Sequence, residues 1–332
     1  MKINEIKIIV VGATGLVGRE MLKILSEIHV PVENITAVAS SRSKGKCVNY
    51  RQKDKIIVQD LSEIDFCNYD VALFSAGSAV SKIYVPMAVD AGCYAIDNTS
   101  YFRMYPDVPL VVPEVNIDAV QNSKLIANPN CSTIQTVLPL KPLHDLYGLL
   151  DVIVSTYQAA GGAGQGGIDE LKSQINSYNS SSEIVINKFP KQLAFNVIPL
   201  IGTKCADGHS VEEQKMINEI PKILSIPDLR VVATCVRVPV LIGHAVSVTA
   251  VLAKDCNYSE AINVLSNYPG IKFIDDLVTP LDIAGKNDVY VCRFRHALGK
   301  RNVVSFWCVA DNIRKGAALN AVQILQQLCK NT

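Results

Sequence analysis

Short apolar runs alternate with amphipathic stretches over the first 130 residues of the chain. The runs are rich in β-branched residues, and several stretches between them carry apolar residues at helical spacing. Buried strands that alternate with helices are typical of a mainly parallel sheet with helices on both faces, the doubly wound α/β class. The predicted strands are residues 7–13, 35–40, 55–60, 70–76, 94–100 and 109–116, and the predicted helices are residues 16–29 and 79–92.

Beyond residue 131 the apolar runs become longer and alternate with polar positions, as at residues 151–160, 229–240 and 244–253. This alternation favours a largely antiparallel sheet whose two faces differ in exposure, so we expect a second, α+β domain. The final stretch, ADNIRKGAALNAVQILQQLCK, keeps helical spacing to its end, and this helix is expected to pack back onto the first domain. The predicted division is residues 1–130 with 311–332, and residues 131–310.

Composition agrees with two domains, because 332 residues of which 49% are hydrophobic exceed what one compact core usually holds. The net charge is +1 and the basic residues are scattered, which argues against nucleic acid and anionic membranes as partners. Glu5 and Lys7 interrupt the first apolar run, unlike a signal peptide, and no apolar stretch approaches the ~18 residues needed to span a bilayer. We therefore expect a cytoplasmic protein.

Ten cysteines are spread along the chain, without a Cys-x-x-Cys pair or a Cys/His cluster at ligand spacing. A structural metal is therefore not expected. Most of these cysteines lie in apolar contexts such as VATCVRV, where a free thiol behaves as a small hydrophobe. Cys131 stands apart, because it lies between Asn-Pro-Asn and Ser-Thr and opens a stretch with helical spacing. The residues alone leave it open whether Cys131 is a core residue or a nucleophile.

The first strand ends in GATGLVGRE, in which Gly12, Gly15 and Gly18 open a helix. Glycines allow a tight turn and a close approach of the backbone to a pyrophosphate, whose charge the helix N-terminus favours. A glycine-rich turn can also be a mere connection. Here strand, turn and amphipathic helix occur in the order that a Rossmann-type dinucleotide site requires.

The second predicted strand ends in AVASSRSKGK, with no acidic residue between Glu33 and Asp54. A site selective for NAD usually places an acid near this point, to bind the ribose 2′-hydroxyl. The residues here could instead surround a 2′-phosphate, although an ordinary solvated loop is the alternative; they are Ser40, Ser41, Arg42, Ser43 and Lys44. The missing acid favours NADP.

Five motifs, NPNCST, YQAAGGAGQGG, EEQKM, RVPVLIGHA and ADNIRKGAA, together resemble the aspartate-β-semialdehyde dehydrogenases, over nearly the whole chain. The resemblance implies that NADPH reduces β-aspartyl phosphate to L-aspartate-β-semialdehyde and phosphate, through a cysteine thioester. This reaction serves the biosynthesis of lysine, methionine, threonine and diaminopimelate. Residues 1–130 with 311–332 would then be an NADP-binding domain, and residues 131–310 a catalytic and dimerisation domain of a homodimer or tetramer.

The resemblance makes Cys131 the nucleophile, a task that suits a thiolate at the positive end of a helix. It assigns His244 as general acid/base, Gln158 as the residue that orients the substrate, and Arg237 as the clamp on its α-carboxylate. Arg237 and His244 are symmetric about a turn between residues 240 and 241. A hairpin there would bring both to one end of the sheet.

The stretch SVEEQKMINEI predicts a helix that Ser210 caps, with Glu213 at the spacing of a capping box. Glu212 and Lys215 share a face of this helix, and Glu213 points away from it. A solvated helix surface would account for all three charges. The resemblance instead gives Glu212 the α-ammonium of the substrate and Lys215 its phosphate.

Similarity also assigns phosphate contacts to Arg103 and Asn130. One departure from the family is Ser78 in FSAGSAVSK, where a second glycine is common, and this puts the local backbone path beside the cofactor in question. The cofactor-binding residues that the resemblance implies are Gly12, Thr14, Gly15, Leu16, Val17, Ser40, Arg42, Ser43, Ser75, Gly77, Gly161, Gly162 and Asn312.

Two other functions fit part of the pattern. An N-acetylglutamyl-phosphate reductase would use the same thioester chemistry on a related fold, but EEQKM and the spacing of RVPVLIGH favour the aspartyl enzyme. Glyceraldehyde-3-phosphate dehydrogenases usually carry a different cysteine motif. A catalytically silent NADP-binding redox sensor would use Cys131 as a switch, and phosphate-dependent formation of NADPH from the semialdehyde would exclude it.

Overall fold

The computed structural model describes residues 2–51 and 54–331 of the chain. The chain forms two compact units, Met1–Asn130 with Ala317–Thr332 as the first and Cys131–Gly316 as the second. Among the helices of the described residues, none is long and apolar enough to cross a membrane.

The strands are β1 (Ile8–Val11), β2 (Ile35–Ala39), β3 (Cys47–Asn49), β4 (Lys55–Ile57), β5 (Gln59–Asp60), β6 (Val71–Phe74), β7 (Tyr94–Asp97), β8 (Leu125–Ala127), β9 (Leu149–Gln158), β10 (Arg230–Arg237), β11 (His244–Leu252), β12 (Ile271–Phe273), β13 (Val289–Ala297) and β14 (Lys300–Ala310). The α-helices are α1 (Leu16–Glu27), α2 (Ser78–Asp90), α3 (Pro113–Asn116), α4 (Cys131–Tyr147), α5 (Gln165–Asn179), α6 (Val211–Leu224), α7 (Tyr258–Asn267), α8 (Pro280–Ile283) and α9 (Leu319–Asn331). Arg314–Ala318 form a π-helix.

A parallel sheet with the strand order β5-β2-β1-β6-β7-β8 forms the centre of the first unit. The strand β1 is buried along its whole length, which explains its uninterrupted apolar sequence. Val322 and Leu325 of α9 are fully buried and share one apolar core with Val10 of β1 and Ile24 of α1. The doubly wound fold and the C-terminal helix that returns to it are therefore confirmed.

Two predicted strands of the first unit differ in the structure. Residues 109–116 are not a strand, because Pro113 begins α3, and only Leu110 makes an isolated bridge, to Ala127. Proline lacks the N–H that a ladder needs and its φ suits the first turn of a helix. The last strand of the sheet is β8 instead. Residues 55–60 divide into β4, which forms a hairpin with β3, and β5, which lies at the sheet edge beside β2.

The second unit contains a sheet with the strand order β10-β9-β11-β14-β13-β12. Its central pairs are antiparallel, as expected, but both edge strands run parallel to their neighbours. Helices α4 and α6 pack on one face, where Val152, Val154 and Thr156 of β9 are buried. Ile153 and Tyr157 point to the other face and are exposed.

The predicted hairpin between Arg237 and His244 is wrong. Strand β9 lies between β10 and β11, parallel to the first and antiparallel to the second. The long connection from β9 through α5 and α6 allows β10 to return parallel to β9. Arg237 nevertheless lies opposite Gln158, and His244 precedes Ala245, which lies opposite Tyr157. All three site residues are therefore at the same end of the sheet.

Candidate active site

Cys131 is the first residue of α4. Pro129 and Asn130 precede it, and the helix behind it is buried from Ser132 to Leu140. The N–H groups of a first helical turn and the helix dipole create positive potential at this position. Positive potential favours the thiolate, which is the nucleophilic form of cysteine.

The π-helix Arg314–Ala318 approaches Cys131 through Gly316. An ideal Cβ on Gly316 would lie 2.9 Å from Cβ of Cys131, so no side chain fits there. Carboxylate oxygens of Asp311 accept hydrogen bonds from the N–H groups of Ile313, Arg314 and Gly285, at 2.7 to 2.9 Å. The approach of Gly316 to Cys131 was not predicted, because π-turns have no clear sequence pattern. Turns of this kind often occur at functional sites.

The main chain of Ala159, just after β9, holds both Arg237 and His244. Its carbonyl accepts a hydrogen bond from Nη1 of Arg237 at 2.6 Å, and its N–H donates to Nδ1 of His244 at 3.0 Å. A Cβ on Gly162 would lie 2.6 Å from Nη1 of Arg237 and 3.0 Å from Nε2 of His244. The guanidinium and the imidazole therefore both pack against the backbone of residue 162, which must be glycine for them to approach so closely.

Arg237 is buried, and its main chain pairs with Ile198 through two hydrogen bonds of 2.9 Å. Burial lowers the pKa of the guanidinium, and the carboxylate of Glu212 and the thiol of Cys131 oppose this effect. The influence of Cys131 on this pKa places the thiol near the guanidinium. Arg237 can thus bind a carboxylate beside the nucleophile.

The imidazole of His244 is fully buried. Burial, and then the charge of Arg237, lower its pKa to about 3. Its Nε2 is buried without a hydrogen-bond partner among the described residues. An orphaned buried polar atom at a site of this kind points to a bound ligand.

Glu212 is buried at the start of α6 and joins two other predicted site residues. Its Oε1 accepts a hydrogen bond from Nε2 of Gln158 at 3.0 Å, and its Oε2 accepts one from Nζ of Lys215 at 2.8 Å. The hydroxyl of Thr156 donates to Oε1 of Gln158 at 2.9 Å, which fixes the orientation of that amide. Thr156 was not predicted, although it stands two residues before Gln158 and so points to the same face of β9.

Glu213 lies outside this group, as the helical register predicts. It forms the expected capping box with Ser210, and its Oε1 also accepts a hydrogen bond from the N–H of Cys235 at 3.0 Å. Glu213 therefore connects α6 to β10.

Gly161 and Asn312 contact the segment between β10 and β11. The N–H of Gly161 donates to the carbonyl of Leu241 at 2.9 Å. Oδ1 of Asn312 accepts a hydrogen bond from the N–H of Gly243, the residue before His244, at 2.9 Å. Both contacts hold the chain that leads into His244.

Six of the predicted site residues are thus close together in the second unit. They are Cys131, Gln158, Glu212, Lys215, Arg237 and His244.

Several other cysteines are unsuited to act as nucleophiles, because burial disfavours their thiolate form. Burial raises the pKa of Cys93 and of Cys235 to about 12, and it also raises the pKa of Cys308. Within the described ranges, no group of His, Cys, Asp or Glu side chains could hold a metal ion.

The first unit contains a cavity of about 590 Å³ beside the glycine-rich turn. Gly12 has φ +91°, and a Cβ there would lie 2.8 Å from the backbone of Ser75. A Cβ on Gly18 would lie 2.2 Å from the carbonyl oxygen of Gly12. The crowded turn before α1 therefore requires these glycines, and the cavity fits a dinucleotide at a helix N-terminus. Its lining includes the predicted residues Gly12, Thr14, Gly15, Ser40, Arg42 and Ser75.

The rim of this cavity fits a 2′-phosphate. Arg42 lines it and forms no ion pair within the part of the chain that the structure describes, whereas Lys44 is paired with Glu63 at 2.5 Å. The cavity is also lined by Asp60, Ser62 and Tyr84, which sequence reasoning missed. Of these three residues, only Asp60 could have been found from the sequence, because it ends a predicted strand.

Four other predicted cofactor residues do not line the cavity. Leu16 and Val17 form the first turn of α1, and Ser43 ends the short 3-10 helix that contains Arg42. Gly77 precedes α2 with φ +95°. Ser78 begins α2, and its hydroxyl is 3.2 Å from that of Ser100, so the backbone turns at Gly77 and then continues as an ordinary helix.

Arg103 and Asn130 are buried in the first unit. Arg103 donates from Nε to the carbonyl of Asn128 and from Nη2 to that of Asn98, both at 2.9 Å. These bonds fix the guanidinium at the carboxyl ends of β7 and β8.

Comparison with known proteins matches both units. Residues 7–123 match the family described as semialdehyde dehydrogenase, NAD binding domain, and residues 140–315 match the semialdehyde dehydrogenase dimerisation domain. The chain is 44% identical to an aspartate-semialdehyde dehydrogenase of Aquifex aeolicus, over 98% of each chain. It is similar to the crystal structure of Vibrio cholerae aspartate semialdehyde dehydrogenase II complexed with ASA, with TM-score 0.95, 41% identity and 98% coverage of each chain. It is also similar to the Candida albicans enzyme with NADP, with TM-score 0.76, 25% identity and coverage of 98% and 99%.

Proposed function

The chain belongs to the aspartate-semialdehyde dehydrogenase family, and on this premise we propose how its residues carry out the reaction. It reduces β-aspartyl phosphate to L-aspartate-β-semialdehyde and phosphate, with NADPH as the reductant. The observation that carries this proposal is the position of Cys131 at a helix N-terminus and near a buried guanidinium, which shares the main chain of Ala159 with a buried imidazole.

The substrate pocket has complementary charges for an amino acid. Arg237 binds the α-carboxylate, and Glu212 binds the α-ammonium group while Gln158 orients its carboxylate. Lys215, which the resemblance assigns to the phosphate, is paired with Glu212 at 2.8 Å and would bind the phosphate beside that carboxylate. An N-acetylated substrate has no ammonium group, so a buried carboxylate in this pocket favours the free amino acid over the acetylglutamyl alternative. The phosphate contacts of Arg103 and Asn130 remain a prediction from the resemblance.

The reaction begins when the thiolate of Cys131 attacks the carbonyl carbon of the acyl phosphate. The C–S bond forms, the C–O bond to phosphate breaks, and phosphate leaves with that electron pair. The thioester carbon then accepts a hydride, the C–S bond breaks, and the aldehyde and the thiolate are released. His244 is the catalytic imidazole beside these steps, and Gly162 allows Arg237 and His244 to lie close together.

NADP is the proposed cofactor, and when it is bound in its reduced form it supplies the hydride. The glycine turn and the cavity in the first unit would hold the dinucleotide, with Arg42 at its 2′-phosphate. Gly161, Gly162 and Asn312 remain candidates for contacts to the cofactor. Ten free cysteines suit a reducing compartment, which supports a cytoplasmic location.

We also propose that the protein is a homodimer or a larger homo-oligomer. The uncovered face of the second sheet carries Ile153, Tyr157 and Val232, which are 41%, 38% and 58% exposed. The ring of Tyr157 packs on that of Trp307 at 5.2 Å, which extends the apolar surface toward β14. Exposed apolar side chains grouped on one sheet face are typical of an interface, and the matched family is named for dimerisation.

The decisive experiment measures reduction of NADP with L-aspartate-β-semialdehyde, with and without phosphate. We expect NADPH to form only when phosphate is present, because phosphate must cleave the thioester. No turnover with either mixture would contradict the proposed function and leave the redox-sensor alternative. Formation of NADPH without phosphate would indicate hydrolysis of the thioester instead.

A further inference from the structure

The side-chain amide of Gln158 is held at both ends. Its Nε2 donates a hydrogen bond to Oε1 of Glu212 at 3.0 Å, and its Oε1 accepts one from the hydroxyl of Thr156 at 2.9 Å. Thr156 and Gln158 are 0% and 1% exposed, so bulk water does not compete for either hydrogen bond. The two contacts fix the plane of the amide at the end of β9.

The charge of Glu212 determines which end of the amide faces which partner. A carboxylate only accepts hydrogen bonds, so it requires the N–H side of Gln158, and Lys215 holds its second oxygen at 2.8 Å. The oxygen of the amide is then directed to Thr156, whose hydroxyl has a single proton to donate. A reversed amide would set its oxygen against the carboxylate of Glu212.

The thiol of Cys235 does not compete for the proton of Thr156. Cys235 lies opposite Thr156 in the register of β10 with β9, and the two side chains interact. Burial raises the pKa of the Cys235 thiol to about 12, so this thiol is protonated at neutral pH and does not act as an anionic acceptor. The proton of the Thr156 hydroxyl is therefore committed to Oε1 of Gln158.

We propose that Thr156 is a positioning residue for the reaction, because its hydroxyl holds Gln158 with an N–H, and not the oxygen, turned toward the substrate. This inference rests on the proposed function, in which Gln158 orients the substrate. One N–H of Nε2 is bound to Glu212, and the other makes no hydrogen bond within the described residues. That second N–H can donate to an oxygen of the acyl group.

The hydroxyl of Thr156 should affect the chemical step more than substrate binding. Its loss would leave Oε1 of Gln158 buried without a donor, so the amide would turn away from its fixed plane. Displacement of an orienting group by about 1 Å can cost about 10²-fold in rate. Glu212 keeps its bond to Lys215, so the site for the ammonium group of the substrate remains.

The first test compares Thr156→Val with Thr156→Ser in phosphate-dependent reduction of NADP by the semialdehyde. Valine has nearly the shape of threonine and suits a strand, but it lacks the hydroxyl. We expect Thr156→Val to lower kcat by about tenfold or more and to change KM for the semialdehyde by less than about threefold. Thr156→Ser restores the donor and should recover most of kcat. A rise in KM at unchanged kcat, or equal losses in both variants, would overturn the proposal.

A double-mutant cycle tests whether Thr156 acts through Gln158. Gln158→Met keeps the length of the side chain and removes the amide. In the Gln158→Met background, Thr156→Val should change kcat by less than about twofold, because the group that Thr156 positions is already absent. A tenfold loss in both backgrounds would show that Thr156 acts independently of Gln158, against the proposal.

Thr249→Val is the matched control. The hydroxyl of Thr249 is 2.8 Å from that of Ser305, in the same sheet, and Thr249 lies opposite Ile153, about 16 Å along β9 from Gln158. Both valine variants should lower the Tm, but Thr249→Val should keep the wild-type kcat. If Thr249→Val lowers kcat as much as Thr156→Val does, lost stability explains the effect and the positioning role is wrong. Binding of NADPH verifies that each variant is folded.

A crystal structure of Thr156→Val separates this inference from the proposed function. We expect Oε1 of Gln158 to have moved away from the valine methyl group, because a buried carbonyl oxygen needs a donor. An amide that keeps its position would overturn the proposal whatever the activity. If the wild type produces no NADPH from the semialdehyde and phosphate, the proposed function is wrong, and the crystal structure still reports whether Thr156 positions Gln158.

Discussion

Gln158 donates a hydrogen bond from Nε2 to Oε1 of Glu212 at 3.0 Å, and so joins the end of a strand to the first turn of a helix. The carboxylate is held on its other side by Lys215. A buried charge with fixed partners is positioned before the substrate arrives, which reduces the reorganisation that binding requires.

Replacing Glu212 with Gln should raise KM for the semialdehyde by about tenfold or more, because the substrate ammonium loses its charged partner in a buried site. The matched control is Glu213→Gln, one residue away. Glu213 accepts hydrogen bonds from Ser210 and Cys235, so its replacement should cost about 1–2 kcal/mol of the free energy of unfolding and leave KM near the wild-type value. The helix face is assigned wrongly if Glu213→Gln cripples turnover and Glu212→Gln does not.

Cys131→Ser should bind NADPH normally but lose turnover by about 10³ or more, because a serine alkoxide is scarce at neutral pH. Steady-state rates and a fluorescence titration with NADPH measure the two effects. Cys47→Ser, at an exposed thiol in β3, should keep the wild-type rate. Activity of Cys131→Ser within about tenfold of the wild type would refute the nucleophile assignment.

Arg42→Ala should raise KM for NADPH more than KM for NADH, because Arg42 lines the cavity of the first unit and is proposed to bind the 2′-phosphate, which NADH lacks. Lys44→Ala is the comparison, and its effect should be smaller since Lys44 is paired with Glu63. If the ratio of the two Michaelis constants is the same in Arg42→Ala and the wild type, Arg42 does not bind the 2′-phosphate.

Gly162→Ala should lower kcat/KM by about 10² or more, because the new Cβ would displace the guanidinium of Arg237 and the imidazole of His244. Gly166→Ala, in the first turn of α5, is a suitable control, since a Cβ there meets no atom within 4 Å. Thermal unfolding of both variants verifies their stability. Near-normal activity of Gly162→Ala would show that the positions of Arg237 and His244 beside residue 162 do not matter for turnover.

Val232→Lys should weaken self-association by about tenfold or more, because it places a charge on the apolar face of the second sheet. Sedimentation equilibrium measures this effect. Leu298→Lys, at a side chain that is 82% exposed between β13 and β14, should associate like the wild type. Association unchanged by Val232→Lys would show that another surface forms the oligomer.

Local patterns were sufficient for the first half of the nucleotide-binding fold. The turn at Gly12 and the helix α1 follow from backbone freedom and apolar spacing, which are properties of neighbouring residues. The strand predicted over residues 109–116 is wrong. The apolar run there resembles a strand, but Pro113 sets the backbone for a helix. The constraint that a proline places on the backbone therefore outweighs the apolar pattern of the run.

Long-range arrangement was harder to predict. The positions of Arg237 and His244 suggested a hairpin, but strand order depends on which surfaces pack best across the whole sheet, and β9 lies between them. The group of six site residues came from the family resemblance and not from periodicity. The contacts of Ala159, Thr156 and Gly316 depend on side-chain geometry that no local pattern encodes.

The boundaries of the second unit meet at the nucleophile. Cys131 is its first residue and Gly316 its last, and their backbones are in close contact. In sequence the second unit is therefore a domain insertion, with adjacent ends, in the middle of the first. A protease nick or an engineered linker at either junction would alter the chain directly beside the reactive sulfur. Swapping the inserted domain between relatives would therefore require joints placed away from both junctions.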